Sequence, residues 1–127
     1  MKILVVDDDL ITLKAVEKYL TGDGHQITTS VDGYEALKIL EKERYDLLIA
    51  DIAMPRLSGF ELLKFLKGKL NDQMPVILMS AFKQKTIITN AFQLGANNFM
   101  NKPLNLDELS FRISEFCQTT WEFYHKV

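Results

Sequence analysis

Short apolar runs alternate with amphipathic stretches along the whole chain. Residues 3–6, 47–50 and 76–79 are uninterrupted apolar runs of strand length, and residues 97–100 form a weaker one. Residues 26–30 are the most polar strand candidate and are expected at a sheet edge. Continuous apolar runs, rather than alternating ones, are the mark of strands covered on both faces. The stretches between them carry helical periodicity. Leu13, Val16 and Leu20, with Ala15 and Tyr19, define a first helix face. The segment Asp32-Gly33-Tyr34-Glu35 reads as a capping box that opens a helix carrying Ala36, Leu37 and Leu40. Ser58-Gly59-Phe60-Glu61 repeats that signature before Leu62, Phe65 and Leu66. Gly95 stands where a helix over Ile87, Ile88, Ala91 and Leu94 should end. Asn105-Leu106-Asp107-Glu108 opens the last helix, with Leu109, Ile113 and Phe116 on one face.

Five strands and five helices in strict alternation predict an α/β fold, a doubly wound parallel sheet with helices on both faces. The 127 residues suit one domain, with 47% hydrophobic and 25% charged residues. The net charge of -2 provides no basic field, so direct nucleic-acid binding by this segment is not expected. The single cysteine, Cys117, cannot form an internal disulfide. No apolar run approaches the roughly 20 residues that span a bilayer, and the N-terminus turns acidic at once rather than forming a signal peptide. A cytoplasmic protein is the expectation, with no membrane partner.

In such a sheet, ligands bind at the carboxyl ends of the strands, near the point where the strand order reverses. The residues ending each apolar run are therefore the chemical candidates. The first run ends in Asp7-Asp8-Asp9, the third in Asp51, the fourth in Ser80-Ala81, and the fifth is followed by Lys102-Pro103. Clustered carboxylates repel, and desolvation raises their pKa values unless a cation compensates. Lys102 can neutralise one charge. Magnesium, which takes oxygen ligands and usually only one or two protein carboxylates, suits the rest. Asp8, Asp51 and a backbone carbonyl would meet that demand. A carboxylate beside magnesium and a lysine is equipped to accept a phosphoryl group. Asp51 would be the nucleophile, with Lys102 and the Ser80 hydroxyl covering phosphoryl oxygens. The Met54-Pro55 turn would hold the loop that places the Ala53 carbonyl.

Four segments together resemble the response-regulator receiver domain of two-component signalling. They are Lys2 through Asp8, Asp51 through Gly59, Ser80-Ala81 and Lys102-Pro103, in order and at the family's approximate spacing. The resemblance runs from Lys2 to about Phe116. It implies the flavodoxin-like (βα)5 receiver fold with strand order 2-1-3-4-5. It implies that Asp51 accepts a phosphoryl group from a histidine-kinase phosphohistidine. Asp8 would bind magnesium directly, Asp7 through water, and Ala53 through its main-chain carbonyl. Ser80 would bond a phosphoryl oxygen, and Lys102 would pair with the phosphate. Phe99, three residues before the lysine, holds the family's aromatic switch position, where tyrosine is frequent. Ser80 replaces a frequent threonine. The implied protein is a signalling switch, not an enzyme acting on others; it catalyses only its own phosphorylation and dephosphorylation. Its partners would be a sensor histidine kinase or phosphotransfer protein and a downstream effector protein or domain. The surface of the fourth helix, fifth strand and fifth helix would change for output, and a homodimer through that face is left open.

Each residue also has a plainer reading. Asp7 and Asp8 suit the start of a loop, Asp9 an N-cap, Ser80 a cap, Lys102 a solvated surface and Phe99 the core. His25 and His125 read as isolated surface residues. Two other functions stay open: a magnesium-dependent aspartyl-phosphate phosphatase and a receiver-like scaffold that takes no phosphate. The phosphatase class favours an Asp-x-Asp nucleophile on the first strand, whereas Asp51-Ile52-Ala53 lacks the second carboxylate. Residues 1–117 are expected to form the receiver domain. Residues 118–127, with Trp121, Phe123 and Tyr124, extend the last helix or form a tail. The chain is either a stand-alone receiver or the receiver of a longer regulator.

Overall fold

Five parallel strands form one sheet in the order β2-β1-β3-β4-β5. A computed structural model describes residues 1–125 of the chain, with side-chain surroundings for residues 1–117. The strands are β1 (Lys2–Val6), β2 (Gln26–Ser30), β3 (Leu47–Asp51), β4 (Val76–Ser80) and β5 (Asn98–Asn101). The helices are α1 (Leu10–Gly22), α2 (Gly33–Lys42), α3 (Gly59–Gly68), α4 (Lys85–Gln93) and α5 (Leu106–His125). The predicted alternation, the parallel pairing and the edge position of residues 26–30 are all present. The expected aromatic tail, with Trp121, Phe123, Tyr124 and His125, lies outside the described side chains.

The apolar runs are buried because the sheet is covered twice. One layer joins Leu4, Val6, Leu48, Ala50, Val76 and Leu78 to Ala36, Leu40, Leu62, Leu63, Leu66 and Ala91 from α2, α3 and α4. The other joins Ile3, Val5, Leu47, Ile49, Ile77 and Met79 to Leu13, Val16 and Leu20 of α1 and Leu109 and Ile113 of α5. Successive residues of one strand thus serve opposite cores, which is why both parities must be apolar. Burying each large side chain contributes about 1.5–3 kcal/mol.

Local signals set the helix ends. Ser58 and Glu61 form the full capping box of α3. At α2 the Asp32 side chain accepts the Glu35 N–H, while its second oxygen pairs with Arg56. The Asn105 side chain accepts the Glu108 N–H at the start of α5. Gly95 follows α4 at φ +107, and Gly95 and Ala96 return hydrogen bonds to Phe92 and Ala91. Three details differ from the sequence expectation, the first being that the α2 capping box is half formed, with no bond from the Glu35 side chain to the Asp32 N–H. Ala15 lies on the solvent side of α1. His25 is not isolated: its ring is half-buried and its Nδ1 meets the Met1 amino group at 3.0 Å.

Candidate functional site

The strand order reverses between β1 and β3, so their carboxyl ends open one crevice. Asp7 follows β1 and Asp51 ends β3, and both are buried, while the adjacent Asp8 is exposed. One carboxylate oxygen from each of Asp7, Asp8 and Asp51 lies within 4.8 Å of the others. Lys102, just beyond β5, reaches into this group from the far side. Its ammonium donates to Asp51 Oδ2 at 2.8 Å and stands 2.6 Å from Asp7 Oδ2. The Lys102-Pro103 peptide bond is cis.

Asp7 and Asp51 are each held by a nearby backbone N–H. Asp7 Oδ1 accepts the Asp9 N–H at 2.9 Å, and Asp51 Oδ1 accepts the Ala53 N–H at 3.2 Å. Asp9 itself caps α1, accepting from Ile11 and Thr12, which holds its carboxyl below the usual carboxylate range. Asp9 therefore takes the plainer of its two readings.

The electrostatics leave the cluster short of positive charge. Burial pushes the Asp51 carboxyl upward, against the pull of the Lys102 hydrogen bond and charge. Burial also works against the Lys102 ammonium, but its contacts with Asp51 and Asp7 hold its pKa above the ordinary lysine value. One lysine cannot neutralise three carboxylates. Asp7 Oδ2 is buried, and its close partner is the Lys102 ammonium, which Asp51 shares. Three clustered carboxylates that share one ammonium leave room for a second cation. The donor set is all oxygen, which fits a hard divalent ion such as magnesium.

The remaining candidates surround this group. Ser80 ends β4, is fully buried, and accepts the Phe82 N–H at 2.9 Å through Oγ. Phe99 on β5 is 9% exposed and packs in the core layer with Leu78 and Ala91, so its ring is already inside. Ala53 is exposed on the loop after β3. That loop is pressed against the strand end: a Cβ on Gly59 would fall 2.5 Å from the Asp51 carbonyl oxygen. Gly59 therefore lets α3 start directly over the nucleophile candidate.

Sequence reasoning missed two residues. Asn101 donates through Nδ2 to the carbonyls of Phe82 at 3.2 Å and Ser80 at 3.4 Å, tying the loop after β4 to β5. Arg56, in the loop after β3, pairs with Asp32. Neither carries a signal in periodicity, because both make polar contacts between distant segments.

Comparison with known proteins agrees with this fold. The family model of the response regulator receiver domain matches residues 3–114. The transcriptional regulatory protein CrdR of Helicobacter pylori is 35% identical over 115 residues, covering 91% of this chain and 54% of that protein. The response regulator MprA of Mycobacterium leprae is 32% identical over 120 residues, covering 94% and 52%. Among solved structures, the receiver domain of the Francisella response regulator 1452 matches with a TM-score of 0.88 and 33% identity, covering 94% of this chain and 98% of that one. The CheY-like receiver domain protein of Methanospirillum hungatei also gives a TM-score of 0.88, at 28% identity, covering 95% and 97%. The chain belongs to the response-regulator receiver family of two-component signalling. It spans about half the length of the curated relatives it matches. Among the described residues, no helix is long and apolar enough to cross a membrane.

Proposed function

We propose that the chain is a phospho-accepting switch in which Asp51 takes a phosphoryl group from a phosphohistidine. The observation that carries this reading is the Lys102 ammonium shared between Asp51 and Asp7, beside Asp8, at the strand-order reversal. Asp8, Asp51 and the Ala53 carbonyl would hold magnesium directly, with Asp7 acting through water. When bound, magnesium neutralises charge on the transferring phosphoryl oxygens.

The chain's own residues supply the rest. An Asp51 carboxylate oxygen attacks phosphorus, and an oxygen–phosphorus bond forms. The phosphorus–nitrogen bond of the donor breaks, and its electron pair stays on the imidazole nitrogen. Lys102 holds the carboxylate in place before transfer and pairs with the new phosphate afterwards. Ser80 exchanges its bond with the Phe82 N–H for one to a phosphoryl oxygen, drawing the loop after β4 inward. Phe99, already packed inside, is the aromatic group that this loop movement would reposition. The surface of α4, β5 and α5 changes in consequence, and the output partner, an effector or a second copy, reads it.

The donor would be a histidine kinase or a phosphotransfer protein. Leu10 and Ile11 are 58% and 82% exposed at the start of α1. With Pro103 and Leu104, Ile11 lines an apolar recess beside Lys102, which suits a partner docking over the site. Names such as transcriptional regulatory protein among the relatives support a DNA-linked output in a longer protein. Intact-protein mass spectrometry after incubation with phosphoramidate tests the reading. A gain of one phosphoryl mass that needs both magnesium and Asp51 supports it. A gain that persists in Asp51→Asn overturns it.

A further inference from the structure

Arg56 sits in a backbone conformation that its side chain disfavours. Its φ is +67, in the left-handed region where glycine is at home. The Leu57 N–H returns to the Pro55 carbonyl at 2.8 Å, closing a tight turn around it. Two contacts of the Arg56 side chain are available to offset that strain. The guanidinium pairs with the Asp32 carboxylate. It lies 5.5 Å from the Tyr34 ring centroid, and the Lys38 ammonium lies 4.8 Å from the same ring.

These contacts belong to a series of bonds that links Asp7 to the Asp51 loop. The Asp7 N–H donates to the Ser30 carbonyl at 3.1 Å. Ser30 Oγ donates to the Asp32 carbonyl at 2.9 Å. The Asp32 side chain caps α2 through the Glu35 N–H and holds Arg56 with its other oxygen. From Arg56 the chain runs three residues back to Ala53, whose N–H donates to Asp51 Oδ1. The first turn of α2 also packs directly on this loop, since a Cβ on Gly33 would fall 2.3 Å from the Leu57 carbonyl oxygen.

We propose that Arg56 is a positioning residue that, with Asp32, clamps the loop after β3 to α2 and so presets the Ala53 segment for magnesium. The inference rests on the metal reading above and adds the residues that hold one of its ligands in place. A strained residue kept at a site margin, with its side chain tied to a neighbouring helix cap, is how backbone is held ready rather than ordered on binding. The clamp touches no substrate. It acts on affinity for the metal through the number of conformations the loop must give up.

Calorimetric titration of magnesium into the full chain, paired with urea unfolding in the absence of metal, tests the clamp. Arg56→Gly removes the side chain and the strain together. It is expected to weaken magnesium binding by about tenfold, the low end for residues that orient a metal ligand. Its metal-free urea midpoint should be unchanged or raised, which a merely structural role would not produce. Asp32→Ala should weaken binding similarly, Arg56→Lys should recover most of the affinity, and Asp32→Ala with Arg56→Gly should be no weaker than either alone. Wild-type affinity in Arg56→Gly, or losses that add in the double variant, overturns the clamp while leaving the metal reading intact. Absence of magnesium binding in the wild type, or undiminished binding in Asp8→Asn with Asp51→Asn, removes the metal reading and the clamp with it.

Discussion

Lys102 Nζ donates to Asp51 Oδ2 at 2.8 Å across 51 positions of sequence, and the same ammonium stands 2.6 Å from Asp7 Oδ2. This one cation joins the ends of β1, β3 and β5. Replacing it leaves two buried carboxylates facing each other. Lys102→Met should lower metal-free stability by about 3 kcal/mol, the loss typical when one partner of a buried pair is removed. Urea denaturation in a chelating buffer measures it, and added magnesium should restore part of the loss.

Asp51 works in the opposite direction. Its folded pKa is raised by burial, so its contribution to stability is fully present below the ordinary carboxylate value of about 3.9 and is lost as pH rises through the raised value. At neutral pH, without metal, the ionised group opposes folding. Asp51→Asn should therefore be more stable than wild type at pH 7 in chelating buffer, with the gap closing toward pH 4. Urea midpoints across that range check the sign.

Magnesium should reverse that order. Binding to the folded state alone stabilises it by about 2.7 kcal/mol when the free ion is at a hundredfold excess over its Kd. The thermal midpoint of the wild type should rise with magnesium and fall back on chelation. Asp8→Asn with Asp51→Asn should show neither change.

Gly59 sets how closely α3 can approach Asp51. In Gly59→Ala the new Cβ meets the Asp51 carbonyl oxygen at 2.5 Å, and backbone must move. The variant should lose about 1–3 kcal/mol, the usual range for an overpacked site. Its phosphorylation by phosphoramidate should slow, because the shift falls on Asp51 itself. Gly68→Ala, where a Cβ meets nothing within 4 Å, is the control.

His25 gives the fold a second pH dependence, away from the site. Burial, reinforced by the nearby N-terminal ammonium, lowers its pKa. Its contribution is therefore present above about pH 6.5 and lost as pH falls below that value through the folded pKa. Urea midpoints should drop between pH 7.5 and pH 5, and His25→Gln should flatten that segment of the profile.

Much of this architecture was legible because parallel strands buried on both faces read as apolar runs whose last residue must face the crevice. Residues 47–50 announced β3, and Asp51 at their end announced the site. Asp7, Asp8 and Lys102 followed from the same logic, and the structure brings all of them together. Arg56, Asn101 and the contact of His25 with the N-terminus were not legible. Their partners are polar groups in other segments, and hydrophobic patterning reports burial rather than polar pairing. The capping box expected at α2 is half formed: Asp32 accepts the Glu35 N–H, but the Asp32 N–H faces Ser30 Oγ at 3.4 Å instead of the Glu35 side chain.

In the proposed switch the phosphoryl group lands on Asp51. Borohydride reduction of the phosphorylated chain, followed by peptide mass spectrometry, converts an aspartyl phosphate to homoserine at its position. Homoserine at residue 51 alone, formed only when magnesium was present during phosphorylation, is the predicted result. A phosphoryl group retained on Ser80 or a histidine, or homoserine at Asp7 or Asp8, would contradict it.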